Sequence, residues 1–357
     1  AVDTAGDGND GGAAEIGVTD STVAHATTTT TTTAAFTATT RPPFVADRGF
    51  GVPGDVDEPD GPPVVPDPKL TQFKLPRPNS YPEFMTTGPD GAIWFAEQTT
   101  RTIGRITTDG VITEFQLGDP FSTPVDIVVG PDNALWFNDA NAPVLGRITV
   151  DGDVTVIETG HRAYYSMVAG PDGALWYTTY DADGSGAIAR VTTAGAVTLY
   201  PMPSRPRSLV VGPDNNIWAT DVLNGILRIS PNGAVKRFTP FEDQSYVHSL
   251  VFGPQNTVWF TYSTPNSEAG VGVMTAGGSF SFTPIENFAG DALVFDRHST
   301  LWITSPGNNQ IVRLGQEGDI TRFAIKRPID IMIGPDGNVW FTNDLGAAIG
   351  RIDFTGS

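Results

Sequence analysis

Gly88-Pro89-Asp90-Gly91-Ala92-Ile93-Trp94-Phe95 is one copy of a segment that returns, with changes, seven times along the chain. The tryptophans mark the copies and stand at Trp94, Trp136, Trp176, Trp218, Trp259, Trp302 and Trp340, 38 to 43 residues apart. A period of this length is typical of architectures that repeat one supersecondary unit. The Gly-Pro-Asp before the tryptophan predicts a tight turn between two strands, because proline fixes φ and the following residues tolerate a sharp corner.

Each repeat also predicts a third and a fourth strand. Ile103-Gly104-Arg105-Ile106 follows Trp94, and after a glycine-containing turn comes the alternating segment Val111-Ile112-Thr113-Glu114-Phe115. Four short strands in about 40 residues predict a propeller blade. The seventh repeat lacks a fourth strand, whereas Leu70–Leu75 precedes the first repeat, so we expect this N-terminal strand to complete the last blade and cover its open edge. The predicted fold is therefore an all-β, seven-bladed β-propeller of four-stranded blades over residues 69–357.

Residues 1–68 have a different composition. They contain the threonine run Thr27–Thr33, clustered prolines and no tryptophan. Such a segment buries too little apolar surface to offset its ordering entropy, so we predict a disordered N-terminal arm. Its composition fits either an O-glycosylated stalk or a plain solvated linker. The first alternative predicts a secreted or cell-surface protein.

Charge and composition exclude several classes of partner. The formal net charge is −19, which disfavours nucleic acid because such binding depends on Lys and Arg contacts to phosphate. The chain has no cysteine, so disulfides and thiolate metal sites are excluded. No apolar window reaches the roughly 18 residues of a transmembrane helix. We expect a monomer that binds no nucleic acid and has no transmembrane segment.

The repeat consensus Gly-Pro-Asp-Gly-x-(Leu/Ile)-Trp-Phe, (Ile/Leu)-Gly-Arg-Ile-Thr and Gly-x-Ile-Thr-Glu-Phe resembles the virginiamycin B lyase (streptogramin lyase) family. The resemblance covers residues 69–357. It implies an enzyme that opens the lactone of a streptogramin B antibiotic by C–O elimination, with Mg²⁺, two histidines and glutamates at the channel top in the last two blades. A base would remove the proton α to the carbonyl while the metal stabilises the enolate.

In this resemblance the histidines occupy the first position of the innermost strand. Read by blade, that column is Glu83, Val125, Tyr165, Arg207, His248, Asp291 and Ile329. The two histidine positions of the last blades thus hold Asp291 and Ile329, the first glutamate position holds Arg327, and the last glutamate corresponds to Asp344. His248 has the right position one blade early. The candidate catalytic residues are therefore His248, Asp291 and Asp344, and the metal ligands stay undefined.

The remaining polar residues of the channel mouth predict a ligand site. We assign ligand binding to Glu83, Tyr165, Arg207, Tyr246 and Arg327. Further polar residues expected on the same face are Glu97, Asp139, Tyr164, Arg205, Asp221, Tyr262 and Asn343. Two hypotheses follow: a module that binds a small polar molecule, peptide or cell-surface component, or a Mg²⁺-dependent lyase. For His248 the alternatives are a general base or metal ligand and a hydrogen-bonded structural histidine.

One loop begins like a calcium-binding loop. Asp181-Ala182-Asp183-Gly184-Ser185-Gly186 has the initial acidic pattern, but Thr192 stands where the bidentate glutamate belongs. We interpret this loop as a turn.

Overall fold

A computed structural model describes residues 69–180, 185–222, 225–243 and 245–353. Within these residues, 28 strands form seven four-stranded sheets. The predicted seven-bladed β-propeller is confirmed. The predicted arm at residues 1–68 and the first four residues of the loop that begins at Asp181 lie outside the described residues.

Every blade runs from an innermost to an outermost strand in antiparallel order. Blade 1 contains β2 (Pro82–Thr87), β3 (Ile93–Glu97), β4 (Thr102–Ile106) and β5 (Ile112–Gln116), and blade 2 contains β6 (Pro124–Val129), β7 (Leu135–Asp139), β8 (Val144–Ile148) and β9 (Val154–Glu158). Blade 3 contains β10 (Met167–Ala169), β11 (Leu175–Tyr180), β12 (Gly186–Val191) and β13 (Val197–Pro201), and blade 4 contains β14 (Pro206–Val211), β15 (Ile217–Asp221), β16 (Ile226–Ile229) and β17 (Val235–Phe238). Blade 5 contains β18 (Tyr246–Phe252), β19 (Val258–Ser263), β20 (Ala269–Met274) and β21 (Phe280–Pro284), and blade 6 contains β22 (Leu293–Phe295), β23 (Leu301–Ser305), β24 (Gln310–Leu314) and β25 (Ile320–Ala324). Blade 7 contains β26 (Pro328–Ile333), β27 (Val339–Asn343), β28 (Ala348–Asp353) and the N-terminal strand β1 (Lys69–Lys74).

The ring closes through β1, as the sequence predicts. β1 pairs antiparallel with β28 from Lys69 opposite Asp353 to Lys74 opposite Ala348. Phe73 of β1 stacks on Trp340 of β27, with 5.6 Å between ring centroids. The innermost strands β26 and β2 of blades 7 and 1 also contact each other. Closure therefore joins the two ends of the described chain through backbone pairing and an aromatic contact.

The repeated tryptophan and arginine both contact the aspartate of the turn and have a structural role. In blade 1, the Trp94 indole N–H donates to Asp90 Oδ1 at 2.9 Å, and Arg105 Nε lies 2.6 Å from Asp90 Oδ2. Trp94 is fully buried and shares a cluster with Ile127 of the next blade. The same aspartate contacts recur in blades 2, 3 and 4. These side chains hold the turn and the interface between blades, away from the channel mouth.

Candidate functional site

A β-bulge in the innermost strand positions the side chains at the channel mouth. In blade 4, Pro206 pairs with Asp221 and Leu209 with Ala219, so Arg207 and Ser208 both lie opposite Thr220. Blades 1, 2, 5 and 7 carry the same register shift. A bulge of this kind bends the strand and redirects its side chains. The predicted column therefore coincides with the bulges, although Tyr165 and Asp291 precede the shorter strands β10 and β22.

Threonines of the second strands fix the backbone of these bulged residues. Thr220 Oγ1 accepts the Ser208 N–H of its own blade at 3.1 Å and donates to the His248 carbonyl of blade 5 at 3.1 Å. Thr261 and Thr304 likewise donate, at 3.0 Å each, to the carbonyls of Asp291 and Ile329. Each threonine thus holds a mouth residue of the following blade in place.

Five residues of the predicted column, four of them polar, meet at one cavity. Tyr165, Arg207, His248 and Asp291 line a cavity of about 80 Å³, together with Phe84 and Ile329. The residues come from five blades, from blade 3 to blade 7, and Phe84 adds blade 1. Neither Glu83 nor Val125 belongs to the lining. The cavity is polar on the side of blades 3 to 6 and apolar at Phe84 and Ile329.

Arg207 is the centre of the polar side. Its Nη1 lies 3.3 Å from His248 Nδ1, its Nη2 lies 3.6 Å from Asp291 Oδ1, and its guanidinium carbon is 5.9 Å from the centroid of the Tyr165 ring. Arginine has only N–H donors, so His248 Nδ1 must accept. The proton of the neutral imidazole then stands on Nε2, which donates to Ser263 Oγ at 2.8 Å. Burial and the Arg207 cation lower the pKa of His248, and Asp291 opposes them.

A second charged group lies at the joint of blades 7 and 1. Arg327 Nε is 3.2 Å from the buried Asp344 Oδ2, and Arg327 has a positive φ of 44° that directs it from the loop before β26. Burial, followed by the charge of Asp344, raises the pKa of Glu83 to about 7, while Arg327 lowers it and Asp291 raises it. Glu83 therefore interacts electrostatically both with the Arg327–Asp344 pair and with Asp291 of the cavity.

The sequence pattern of the virginiamycin B lyase family matches residues 63–287, more than half of the chain. The chain belongs to the virginiamycin B lyase family. A comparison with functionally described proteins found no match.

Solved structures agree with membership of the virginiamycin B lyase family. A catalytically inactive histidine-to-alanine variant of virginiamycin B lyase from Staphylococcus aureus, solved with quinupristin, superimposes with a TM-score of 0.71 at 26% identity, covering 80% of this chain and 99% of that one. A streptogramin B lyase structure gives a TM-score of 0.70 at 26% identity over 81% and 98% of the two chains. Hydrazine synthase of Kuenenia stuttgartiensis, at 15% identity and a TM-score of 0.66 over 80% and 98%, shares the fold alone.

The Mg²⁺ expected from the virginiamycin B lyase family does not fit the residues present. Asp291 and Asp344 each face an arginine, Ile329 offers only hydrocarbon, and the lone pair of His248 Nδ1 accepts from Arg207. Within the described residues, no group of three or more His, Asp or Glu side chains is placed to hold a metal ion.

Other predicted mouth residues have different surroundings. Tyr246 is exposed, with its ring centroid 6.4 Å from that of His248, outside the cavity lining. Asp139 is fully buried and accepts backbone N–H groups of the loop around it, including Ser122 at 2.6 Å. The buried Tyr262 donates to Glu268 at 3.3 Å. These last two serve the scaffold.

Sequence reasoning missed Phe84, Ser263 and the threonines that fix the bulges. The threonines could have been recognised from the sequence, because five repeats contain the pattern Trp-x-Thr. These threonines are Thr178, Thr220, Thr261, Thr304 and Thr342. Ser263 had none, since its contact with His248 depends on the bulge that turns the imidazole toward β19.

Proposed function

We propose that this member of the virginiamycin B lyase family is a ligand-binding module that receives a peptide at its channel mouth and leaves the peptide unopened. The observation that carries the proposal is the placement of Arg207 between His248 and Asp291 in one cavity. The only unprotonated nitrogen of His248 accepts from Arg207, so this imidazole has no lone pair for a substrate proton. The guanidinium retains donors for a ligand oxygen.

The surroundings of the cavity support a peptide. Tyr165 and Tyr246 expose 42% and 53% of their surface beside Arg207 and His248. Amphipathic aromatic rings with adjacent charged groups suit ligands that carry both apolar side chains and polar amides. The cavity of about 80 Å³ has room for one polar group, so the rest of the ligand would lie across the mouth. A relative crystallised with quinupristin after loss of a histidine supports binding that is separable from catalysis.

Quinupristin is the probe that tests the proposal. Titration calorimetry with the whole chain should give saturable binding, and Arg207→Ala should weaken it at least tenfold. Arg297→Ala removes an exposed arginine from the turn between β22 and β23 and is the matched control. Ring opening by elimination conserves mass, so chromatographic retention and fragmentation must report it. We expect no opening with or without Mg²⁺.

Two results contradict this proposal. Mg²⁺-dependent linearisation that His248→Ala abolishes would establish the lyase alternative. The absence of a binding signal for the wild-type chain, at quinupristin concentrations that saturate a lyase of the family, would exclude the peptide site at the mouth.

We also propose that the chain is exported. Its support is the Thr- and Pro-rich composition of residues 1–68 together with fold relatives that are extracellular domains, such as one of a hybrid two-component system of B. thetaiotaomicron at 16% identity and a TM-score of 0.59. Within the described residues, no helix has the length and apolarity needed to cross a membrane. Detection in the medium or on the surface of the producing cells tests export, and confinement to the cytosol contradicts it.

A further inference from the structure

A second cavity, of about 390 Å³, lies between blades 5 and 6 on the side of the channel mouth. Its lining comes from the loop before β20, the loop between β21 and β22, and the segment after β23. The β21–β22 loop reaches from Phe288 of this cavity to Asp291 of the mouth, and three residues span at most about 11 Å. The two cavities are therefore neighbours, although they share no lining residue.

The inner wall of this second cavity is hydrocarbon. Ala269, Ile285 and Phe288 line it, are buried, and belong to the hydrophobic cluster that blades 5 and 6 share. Long basic side chains lay their methylene stems along such apolar surface while the charged head stays at a polar edge. A hydrated metal ion gains nothing from a hydrocarbon wall. The wall therefore favours an organic ligand with an apolar part.

Two glutamates occupy facing positions at the rim of the second cavity. β20 and β21 pair antiparallel, and the Ile285 N–H extends this pairing by donating to the Ala269 carbonyl at 2.9 Å. The next residues in the same register are Glu268 and Glu286, and both line the cavity. Like charges at facing positions of an antiparallel pair repel each other. A cation between the two carboxylates would remove this repulsion.

The lining of the second cavity contains no Lys, Arg or His to balance these charges. Glu268 Oε1 accepts from the hydroxyl of the buried Tyr262 at 3.3 Å, which holds the carboxylate against the scaffold. Arg322, outside the lining, donates through Nη2 to the carbonyl oxygen of Glu286 at 2.8 Å and not to its carboxylate. Asn308 adds an amide from blade 6. The rim therefore offers several acceptors and a net negative charge.

We propose that the second cavity binds a basic amino-acid side chain, with the stem on the wall of Ala269, Ile285 and Phe288 and the cationic head between Glu268 and Glu286. Hydrogen bonds from a cation to a carboxylate are roughly twice as strong as those between neutral groups. A cavity of about 390 Å³ also has the size that is usual for small-ligand sites. The proposal does not depend on peptide binding at Arg207, because the two cavities have separate linings.

Two small probes, N-acetyl-argininamide and its neutral analogue N-acetyl-citrullinamide, test this site. An NMR titration of the whole chain gives the dissociation constants, with the backbone signals of residues 267–269 and 285–288 as reporters. For the arginine probe we expect a dissociation constant on the order of 1 mM, as its size predicts. The citrulline probe has nearly the same shape without the charge and should bind at least tenfold more weakly.

Glu286→Gln and Glu268→Gln each remove one negative charge from the rim and should weaken binding of the arginine probe at least fivefold. Glu286 is exposed, and Glu268→Gln keeps an acceptor for the Tyr262 hydroxyl, so both variants should fold. Glu158→Gln makes the same change at the exposed end of β9 in blade 2 and is the matched control. It should bind the arginine probe as the wild type does.

Three results would overturn the proposal. Equal binding of the arginine and citrulline probes would show that the cavity does not recognise the cationic head. Equal binding by the wild type, Glu286→Gln and Glu268→Gln would show that the rim carboxylates take no part. The absence of signal changes at residues 267–269 and 285–288, at probe concentrations well above the expected dissociation constant, would exclude binding in this cavity.

Discussion

At the scale of single residues, contacts with Arg207 and Ser263 determine the tautomer of His248. The Arg207 guanidinium can only donate, and it therefore selects the tautomer with a free Nδ1 and a protonated Nε2. Protonation of Nδ1 would bring a second cation against Arg207. His248 consequently contacts Arg207 through Nδ1 and Ser263 through Nε2.

Removal of the Arg207 charge should raise the pKa of His248. Arg207→Met removes a cation that lowers this pKa and leaves Asp291, which raises it. An NMR titration of the imidazole Cε1–H signal measures the change, and ¹⁵N shifts report the tautomer. Val125→Ala alters an uncharged residue of the same column and should leave the titration unchanged. An identical or lower pKa in Arg207→Met would contradict the assigned contact.

At the scale of strands, blades 2 and 4 pair a large residue on one of the two middle strands with a small residue on the other. Phe137 of β7 pairs with Gly146 of β8, where a Cβ would lie 2.0 Å from the phenyl ring. Blade 4 reverses the sizes, with Ala219 opposite Leu227. The repeat therefore conserves the combined bulk of the pair rather than either residue, which is how packed cores tolerate substitution.

A size exchange in blade 2 should reproduce the arrangement of blade 4. Phe137→Ala should lower the free energy of unfolding by about 3 to 5 kcal/mol through the cavity that it leaves. Adding Gly146→Leu should recover most of that loss, as urea denaturation can measure. Adding Gly118→Leu instead, at a glycine whose Cβ would meet no other atom within 4 Å, should recover none. Further destabilisation by Gly146→Leu would show that the two sites are independent.

The fold could be predicted because the sequence repeats one blade pattern seven times. Turn, tryptophan and alternating strands recur at one period, so the repetition outweighs the degenerate copy around Asp296. The site residues could be placed in a column for the same reason. Their partners could not, because the contact of Arg207 with His248 depends on bulges in adjacent blades, and non-repeated residues such as Ser263 carry no periodic signal.

At the scale of the whole molecule, two sets of acids respond to pH in opposite directions. Burial raises the pKa of Glu83, Glu97 and Asp330 to about 7, that of Asp126 to about 8, and that of Asp344 above its ordinary value. In the turn aspartates burial acts in the same direction, but the bonds from tryptophan and arginine outweigh it and lower the pKa of Asp90, Asp132, Asp172 and Asp214. The first set favours folding when protonated and the second when ionised.

The protein should therefore be most stable in mildly acidic solution. For an acid whose folded pKa exceeds its unfolded value, the stabilisation is complete below the unfolded value, near 4, and is lost as the pH rises through the folded value, here 7 to 8. The turn aspartates lose theirs only as the pH falls below about 4. Thermal unfolding from pH 3 to 9 should thus show a maximum near pH 4 to 5 and a continuous decline in the unfolding temperature up to pH 8. Asp330→Asn keeps an acceptor for the Met85 N–H and should flatten this decline, whereas Asp151→Asn at an exposed turn should not. Stability that rises from pH 5 to 8 would mean that the buried acids are ionised at little cost, and that water or cations in the channel compensate their charge.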